Sequence, residues 1–376
     1  MKMPRRERLA ATFSIALALG FGSTAMGADF GKPGEPVNLT IGYQPYYTQS
    51  WSGVVNNGLA LWKKYLPEGS KTEWQIGLQG SIIVAQLMAE KQQIGYMGDM
   101  PALVSTTKPD IVDVRLVLVL GTSKQQCNIF LVRNDAPQFK SGLEAVKWMD
   151  GKRTSSPHGS CTDRFGRYAF EQAGIQPAQY LNQNIEVITT AFKAGKLDAA
   201  VIWEPTASKI ELDGIARRAA SGESFEGVEA GDAGYLGMVY ELIKQRPDVH
   251  KGWLEAELDA QLFMVDTKNA SEVARMAEEQ TEGLSKKVLW YSLYGEVPVE
   301  QGGGPVRNRF DFVFTERART LADAATKFLY GLKKVPEPQL REGAIMDEVA
   351  NEVLKARGLT APIGEVKGTP LSEFKG

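Results

Sequence analysis

Polar residues collect in short loops that follow predicted strands, which is where open α/β sheets bind their ligands. Two of these loops place serine at the start of a predicted helix: Gln79-Gly80-Ser81 and Gly159-Ser160. Free backbone N–H groups and the positive end of the helix dipole favour an anion at such a place. The two loops therefore predict an anion-binding site. The alternative is that Ser81 and Ser160 are simple helix N-caps.

Two other loops carry a carboxylate. Asp99 follows Gly98 at the end of a predicted strand, and Glu204 lies between Trp203 and Pro205. Both carboxylates would repel a plain anion but would pair with an ammonium group. A site with helix N-termini on one side and Asp99 on the other therefore suits a zwitterion. A turn-capping role for Asp99 is the alternative.

The remaining candidate side chains are neutral. An apolar or cation-facing wall could be formed by Tyr43, Tyr46, Tyr47 and Trp51, although Tyr47 and Trp51 could instead begin the buried face of the first helix. Trp203, at a strand end, is a further wall candidate, and Gln44 and Gln79 supply amide donors. His158 is either a solute contact or an ordinary loop residue. The full set of predicted ligand contacts is Gln44, Tyr46, Gln79, Gly80, Ser81, Asp99, His158, Ser160, Trp203 and Glu204.

The composition excludes several functional classes. Of the 376 residues, 43% are hydrophobic and 23% are charged, as in ordinary globular proteins. The net charge of −2 provides no basic surface for nucleic acid. Only His158 and His250 are histidines, which disfavours a histidine-based enzyme or metal site. No nucleophile-elbow motif is present, and we expect neither a metal nor a cofactor.

The first 27 residues have the pattern of a secretory signal peptide. Lys2 and three arginines precede a mostly apolar stretch at 9–22, and small residues at 25 and 27 suit a cleavage site. A membrane anchor would need about 20 apolar residues. We therefore expect an exported, periplasmic protein whose signal peptide is cleaved near residue 27. The export route, general or twin-arginine, stays open.

Export also bears on the two cysteines. In an oxidising compartment an isolated pair is more often a disulfide than a reactive site, so Cys127 and Cys161 are predicted to be bridged. Two buried free thiols are the alternative. No Cys-x-x-Cys motif is present, which argues against a thioredoxin-type redox centre.

The elements that must position these loops alternate between short strands and helices. Such alternation predicts an α/β fold with mainly parallel sheets. Beyond about residue 247 the pattern becomes mainly helical, and residues from 358 on resemble an extended tail. The predicted strands include 37–41, 72–77, 94–98, 114–120, 127–132, 152–156, 185–188 and 199–203, and the predicted helices include 81–91, 160–174 and 190–194.

The order of the loop motifs resembles a known family. The motifs are Gly42-Tyr43-Gln44-Pro45, Gly80-Ser81, Gly98-Asp99-Met100-Pro101 and Trp203-Glu204-Pro205. Behind a signal peptide, they resemble the solute-binding proteins of nitrate, sulfonate and taurine ABC importers over about residues 37–335. The resemblance implies a type II periplasmic binding fold with two α/β lobes joined by two crossovers.

The resemblance also implies a domain division and a function. Lobe one would comprise 37–123 plus 234–340, lobe two 124–233, and a C-terminal helix and tail 341–376. The crossovers would lie near 121–126 and 229–235. The implied function is capture of a small anionic or zwitterionic solute, such as a sulfonate or taurine, for an inner-membrane ABC permease. We expect a monomer that binds no nucleic acid and catalyses no reaction.

Three alternatives to this function stay open. A binder of the same family could take nitrate or bicarbonate. The aromatic first loop and the nearby cysteines would suit an aromatic or pyrimidine-type solute. An enzyme resembling pyrimidine-precursor synthases is less well supported, because such enzymes need catalytic histidines and a cysteine-rich motif that this sequence lacks.

Overall fold

The computed structural model describes residues 29–376, so the predicted signal peptide at 1–27 lies outside the described residues. The described chain forms two β-sheets of seven and five strands, with helices packed against both. The predicted α/β class is therefore confirmed. Within 29–376, every helix is too short or too polar to cross a membrane.

The regular elements alternate along most of the chain. The strands are β1 (Asn38–Tyr43), β2 (Lys71–Ile76), β3 (Ile94–Gly98), β4 (Val114–Ser123), β5 (Ile129–Arg133), β6 (Arg153–Ser156), β7 (Gln179–Asn182), β8 (Ala199–Ile202), β9 (Ala216–Ser221), β10 (Asp232–Val239), β11 (Val306–Phe310) and β12 (Gly364–Lys367). The helices are α1 (Trp51–Leu59), α2 (Gly80–Met88), α3 (Asp99–Ser105), α4 (Gly142–Trp148), α5 (Cys161–Ala173), α6 (Ile185–Lys193), α7 (Thr206–Leu212), α8 (Tyr240–Gln245), α9 (Pro247–Val265), α10 (Ala270–Glu279), α11 (Lys286–Tyr294), α12 (Glu316–Gly331) and α13 (Glu348–Ala356).

The large sheet has the strand order β12-β11-β4-β10-β3-β1-β2, and the small sheet has the order β7-β6-β8-β5-β9. We call the large sheet with α1–α3 and α8–α13 the large lobe, and the small sheet with α4–α7 the small lobe. The chain passes to the small sheet between Ser123 and Ile129 and returns between Ser221 and Asp232. Two crossovers therefore join the lobes, as a type II periplasmic binding fold requires. The residue ranges given above for the two lobes and the C-terminal segment stay a prediction.

Both sheets are mixed, which corrects the expectation of mainly parallel sheets. Strand β1 pairs in parallel with β2 and β3, and β6 pairs in parallel with β7 and β8. Strands β10 and β5 run antiparallel to both of their neighbours. The chain enters β5 and β10 directly from the other sheet. The βαβ connection that keeps successive strands parallel is therefore missing at these two strands.

Two local predictions need correction. Residues 185–188 form the first turn of α6 rather than a strand, because Asn184 caps the helix by accepting a hydrogen bond from Val187 N at 2.9 Å. The preceding residues supply the strand, as β7. The chain beyond 358 is also more than a tail, since β12 pairs antiparallel with β11 at the edge of the large sheet.

A carboxyl group is enclosed in the core of the large lobe. Glu257 of α9 is fully buried and accepts a hydrogen bond from the Tyr96 hydroxyl at 2.9 Å. Trp253, also fully buried, donates its Nε1–H to the same hydroxyl at 3.1 Å. Burial disfavours the charged carboxylate and raises the pKa of Glu257 to about 7.

Glu257 should therefore make folding depend on pH. In the unfolded chain this carboxyl loses its proton above its ordinary pKa, while in the folded chain it keeps the proton up to about pH 7. Its contribution to stability is greatest in acid and falls as the pH rises between these two pKa values. Relative to Glu257→Gln, the wild type should lose roughly 2 to 3 kcal/mol of unfolding free energy between about pH 4.5 and 8.

Urea unfolding at a series of pH values checks this expectation. Glu68→Gln removes an exposed carboxyl and is the matched control. It should follow the wild-type profile. Parallel profiles for the wild type and Glu257→Gln would contradict the assigned role of the buried carboxyl.

Candidate functional site

A cavity of about 320 Å³ lies between the loops of the two lobes. The large lobe supplies the segment before α1, the start of α2, and α3, and the small lobe supplies the start of α5 and the end of β8. Seven predicted contacts line the cavity: Gln44, Gln79, Gly80, Ser81, His158, Ser160 and Trp203. These residues come from four separate loops that the fold brings together. Their role as solute contacts stays a prediction.

Two helices begin at the cavity without a capping side chain. The N-cap of α2 is Gln79 and that of α5 is Ser160, and neither side chain accepts a hydrogen bond from a backbone N–H of its helix. The Ser160 hydroxyl instead donates to the carbonyl oxygen of Pro157 at 2.5 Å. Neither serine is thus a simple N-cap. The uncapped start of α2 keeps the favourable polarity for a negative group, whereas at α5 the buried Asp163 of the first turn, which accepts from the backbone N–H of Gly159, offsets part of it.

Close packing of α2 on α3 requires glycine at position 80. A Cβ atom added to Gly80 would lie 2.3 Å from Cγ of Pro101 in the first turn of α3. The missing side chain therefore lets the two helix starts approach each other. This approach explains why Pro101 and Met100 line the same cavity as Ser81.

Asp99 does not face the cavity. Its side chain is fully buried, and its Oδ2 accepts a hydrogen bond from Nη2 of Arg164 at 3.0 Å. The same nitrogen donates to the carbonyl oxygen of Gly231 at 2.6 Å. Burial raises the pKa of Asp99, although the Arg164 guanidinium opposes this rise. With its charge already paired, Asp99 cannot serve as the predicted partner of an ammonium group, and we correct that expectation.

Glu204 is withdrawn from the cavity in the same way. Its buried Oε1 accepts from Nη2 of Arg218 at 2.5 Å and from Nη2 of Arg307 at 3.0 Å. Its Oε2 accepts from the backbone N–H of Ser208 at 3.0 Å. Buried carboxylates of this kind are stable only with such partners. Glu204 thus joins the two lobes, and its predicted role in contacting the solute is corrected.

The first-loop aromatic residue at the cavity is Tyr47, whereas Tyr43, Tyr46 and Trp51 do not line it. The Tyr46 hydroxyl accepts from the backbone N–H of Glu282 at 2.7 Å, and Tyr46 does not line the cavity. Tyr47 lines it instead, and its hydroxyl donates to Oδ2 of Asp232 at 3.1 Å. Trp203 lines the cavity as predicted, and its ring N–H donates to the Tyr46 carbonyl at 3.2 Å.

Two polar side chains at the cavity have an atom without a partner among the described residues. These atoms are Oε1 of Gln44, a residue only 6% exposed, and Nε2 of His158. The imidazole packs against the Tyr180 ring in a tilted arrangement, at a centroid distance of 4.7 Å. Burial lowers the pKa of His158, so the ring is neutral at neutral pH. Both side chains can therefore offer neutral hydrogen bonds to a solute.

The predicted disulfide is confirmed. Cys127 and Cys161 are bonded, with their Cα atoms 6.0 Å apart. Cys161 is the first residue of α5 and lines the cavity, while Cys127 lies where the chain enters the small lobe. The bond thus fastens the start of α5 to the first crossover.

Part of the cavity lining was not predicted from the sequence. The additional apolar side chains include Val84, Met100, Val104 and Leu329, and the one additional charge is that of Lys334. Lys334 follows α12 and lies in none of the loop motifs recognised in the sequence, so no local sequence pattern indicated it as a cavity residue. Within 29–376, no aspartate or glutamate lines this cavity, and no cluster of His, Cys, Asp and Glu could hold a metal ion.

Known proteins share this fold. The taurine-binding periplasmic protein of Escherichia coli (strain K12) is 24% identical over 265 residues, covering 67% of this chain and 78% of that protein. The alkanesulfonate-binding protein SsuA from Xanthomonas axonopodis pv. citri, solved with MOPS, has a TM-score of 0.64 at 20% identity, covering 83% of this chain and 99% of that one. The nitrate-binding protein NrtA from Synechocystis PCC 6803 has a TM-score of 0.64 at 13% identity, covering 87% of this chain and 90% of that one.

The fold is also found in an enzyme. The desulfurization enzyme DSZB has a TM-score of 0.59 at 16% identity, with 85% of this chain and 99% of that chain covered. The architecture alone therefore does not separate binding from catalysis. The predicted resemblance to nitrate, sulfonate and taurine binding proteins is nevertheless confirmed. Because the NMT1-like family model matches residues 32–278, more than half of the sequence, the chain belongs to the NMT1-like family.

Proposed function

We propose that this protein is the exported solute-binding component of an ABC importer and that it captures a small sulfonate with an apolar body. The single observation that carries the proposal is the make-up of the cavity lining. Two uncapped helix starts and one lysine favour a negative group, and the other walls are largely apolar. A sulfonate with an alkyl or aryl body combines these two properties.

The size of the cavity supports a small solute. Its volume of about 320 Å³ lies at the lower end of the range of ~300–1,000 Å³ for small-molecule sites. Nitrate or bicarbonate would leave the apolar wall of Val84, Met100 and Val104 unused. An aromatic sulfonate could stack on Trp203 or Tyr47, so an aromatic body remains compatible with the proposal.

A taurine-like zwitterion is less well matched than a simple sulfonate. Asp99 and Glu204 are both held by arginines and leave the cavity without a carboxylate. An ammonium group bound there would lose its hydration without gaining a counter-charge, which is costly. Since a relative is a taurine-binding protein, taurine is the comparison solute in the test below.

A binding role without catalysis is also part of the proposal. The cysteine at the cavity, Cys161, is occupied by the disulfide. The Ser160 hydroxyl donates to a backbone carbonyl rather than to His158. A nucleophile needs an adjacent base within hydrogen-bond reach, and neither group is arranged in this way. Delivery of the unchanged solute to an inner-membrane permease is the activity that we propose.

Calorimetric titration of the protein with butanesulfonate, benzenesulfonate, taurine, nitrate, bicarbonate and uracil tests this function. Butanesulfonate or benzenesulfonate should bind at least about tenfold more tightly than taurine, because only taurine carries an unpaired ammonium group. The bound sulfonate should be recovered unchanged by mass spectrometry. Equal or tighter binding of taurine would contradict the preference, and no binding of any solute would reject the function.

A matched pair of variants on α2 locates the site. Ser81→Trp places an indole in the cavity and should weaken sulfonate binding about a hundredfold, or about 2.7 kcal/mol. Ala85→Trp adds the same side chain one turn further along the helix, at an exposed residue outside the cavity lining. It should bind as the wild type does. Equal affinities of the two variants for the sulfonate would place the binding site elsewhere.

A further inference from the structure

The end of α12 has a defined backbone geometry that fixes two consecutive lysines. The N–H of Lys334 donates to the carbonyl of Leu329 at 2.9 Å, and the N–H of Lys333 donates to the carbonyl of Tyr330 at 2.9 Å. Lys333 has a φ of 56°, in the left-handed region. This is a Schellman motif, with Lys333 at the position that glycine usually occupies.

The motif determines which lysine reaches the cavity. In a Schellman motif the residue after the left-handed one packs beside the residue five positions earlier. Here that pair is Lys334 and Leu329, and both line the cavity, whereas Lys333 does not. The apolar stem of a lysine can lie along such a neighbour while its ammonium group stays in water. Of the two lysines, Lys334 is thus the one that lies at the solute cavity.

The charge of Lys334 is not used elsewhere in the described part of the chain. The lysines that form ion pairs within 29–376 are Lys64, Lys209 and Lys244. Among the residues that the structure describes, Lys334 is also the only one in the cavity lining that carries a full charge at neutral pH. A cation near the carboxyl end of a helix also interacts favourably with the helix dipole, but Lys333 meets that condition equally well.

We propose that Lys334 is a specificity-determining residue that attracts and holds the negative group of the solute. This proposal rests on the proposed function and adds a contact from outside residues 32–278, the part matched by the family model. The starts of α2 and α5 offer only partial charges from backbone N–H groups. Lys334 adds a full charge and thereby favours sulfonates over neutral molecules of the same shape.

Titration of four proteins with two probes tests this role. The proteins are the wild type, Lys334→Gln, Lys334→Arg and the control Lys333→Gln, and the probes are butanesulfonate and the neutral butyl methyl sulfone. Lys334→Gln should weaken butanesulfonate binding about tenfold, the effect of one charge-assisted hydrogen bond. Lys334→Arg should keep most of the affinity, and Lys333→Gln should stay within about twofold of the wild type. Binding of the neutral sulfone should be weak and equal in all four proteins.

Salt dependence supplies a second readout that a purely structural role of Lys334 would not change. Added NaCl should weaken butanesulfonate binding to the wild type more than to Lys334→Gln, because screening acts on the lysine charge. If Lys334→Gln binds butanesulfonate with the affinity and the salt dependence of the wild type, this inference is overturned and the proposed function is left intact. Failure of the wild type to bind any solute of the earlier panel would reject both.

Discussion

Arg164→Met is expected to lower the free energy of unfolding by about 3–5 kcal/mol, because it leaves buried carboxylates without a counter-charge. Arg164 is 2% exposed and pairs with Asp99, and Asp232 is fully buried beside them. Burial and the negative charge of Asp99 together raise the pKa of Asp232 well above its ordinary value. Removing the guanidinium should force both carboxyls toward their protonated forms.

Urea unfolding at two pH values checks this expectation. A carboxyl whose pKa is raised in the folded protein contributes less to stability as the pH rises, so the loss should be larger at about pH 8 than at about pH 5. Arg164→Met combined with Asp99→Asn should recover part of the loss. Arg275→Met is the control, since its ion pairs with Glu272 and Glu279 lie on the surface and should contribute at most about 1 kcal/mol. A loss no larger than that of the control would contradict the role of Arg164.

Removal of the disulfide has the second large expected effect. The bond closes a segment with a sequence separation of 34 residues. The chain-entropy treatment of such a loop gives a stabilisation of about 3–4 kcal/mol. The variant with Cys127→Ser and Cys161→Ser should therefore unfold at a lower urea concentration than the oxidised wild type.

A reductant provides the matched control for the disulfide. Dithiothreitol should destabilise the wild type by a similar amount and leave the double variant unchanged. Thiol titration of the oxidised, denatured wild type should find no free cysteine. Two free thiols in that titration, or no effect of dithiothreitol on stability, would contradict the prediction.

Much of the fold could be predicted because its signals are local. The alternation of strands and helices and the loops with Gly80-Ser81 and Gly159-Ser160 depend on neighbouring residues. The region 185–188 shows the limit of this approach. Its apolar residues fit a strand as well as a helix, and a single side chain, Asn184, decides for the helix by capping it. The edge strand β12 was missed because its sequence, Gly364-Glu365-Val366-Lys367, contains a single buried apolar residue, Val366, and so shows no strand pattern.

The carboxylates of the site could not be interpreted from the sequence, because their partners are distant along the chain. Arg164 lies 65 residues from Asp99, and Arg307 lies 103 residues from Glu204. A loop carboxylate with no neighbouring cation appears available to a ligand until the fold brings an arginine to it. The same reasoning applies to Lys334, which only the packing of α12 places beside the cavity.

The two buried ion pairs have a consequence for solute exchange. Arg164 of the small lobe holds Asp99 of the large lobe, and Arg307 of the large lobe holds Glu204 of the small lobe. Any opening that separates α5 from α3, or β11 from the end of β8, must bring water to these charges. The lobes are thus fastened to each other by groups that do not line the solute cavity. The work needed to open the cleft can therefore change without any change in the residues that line the cavity.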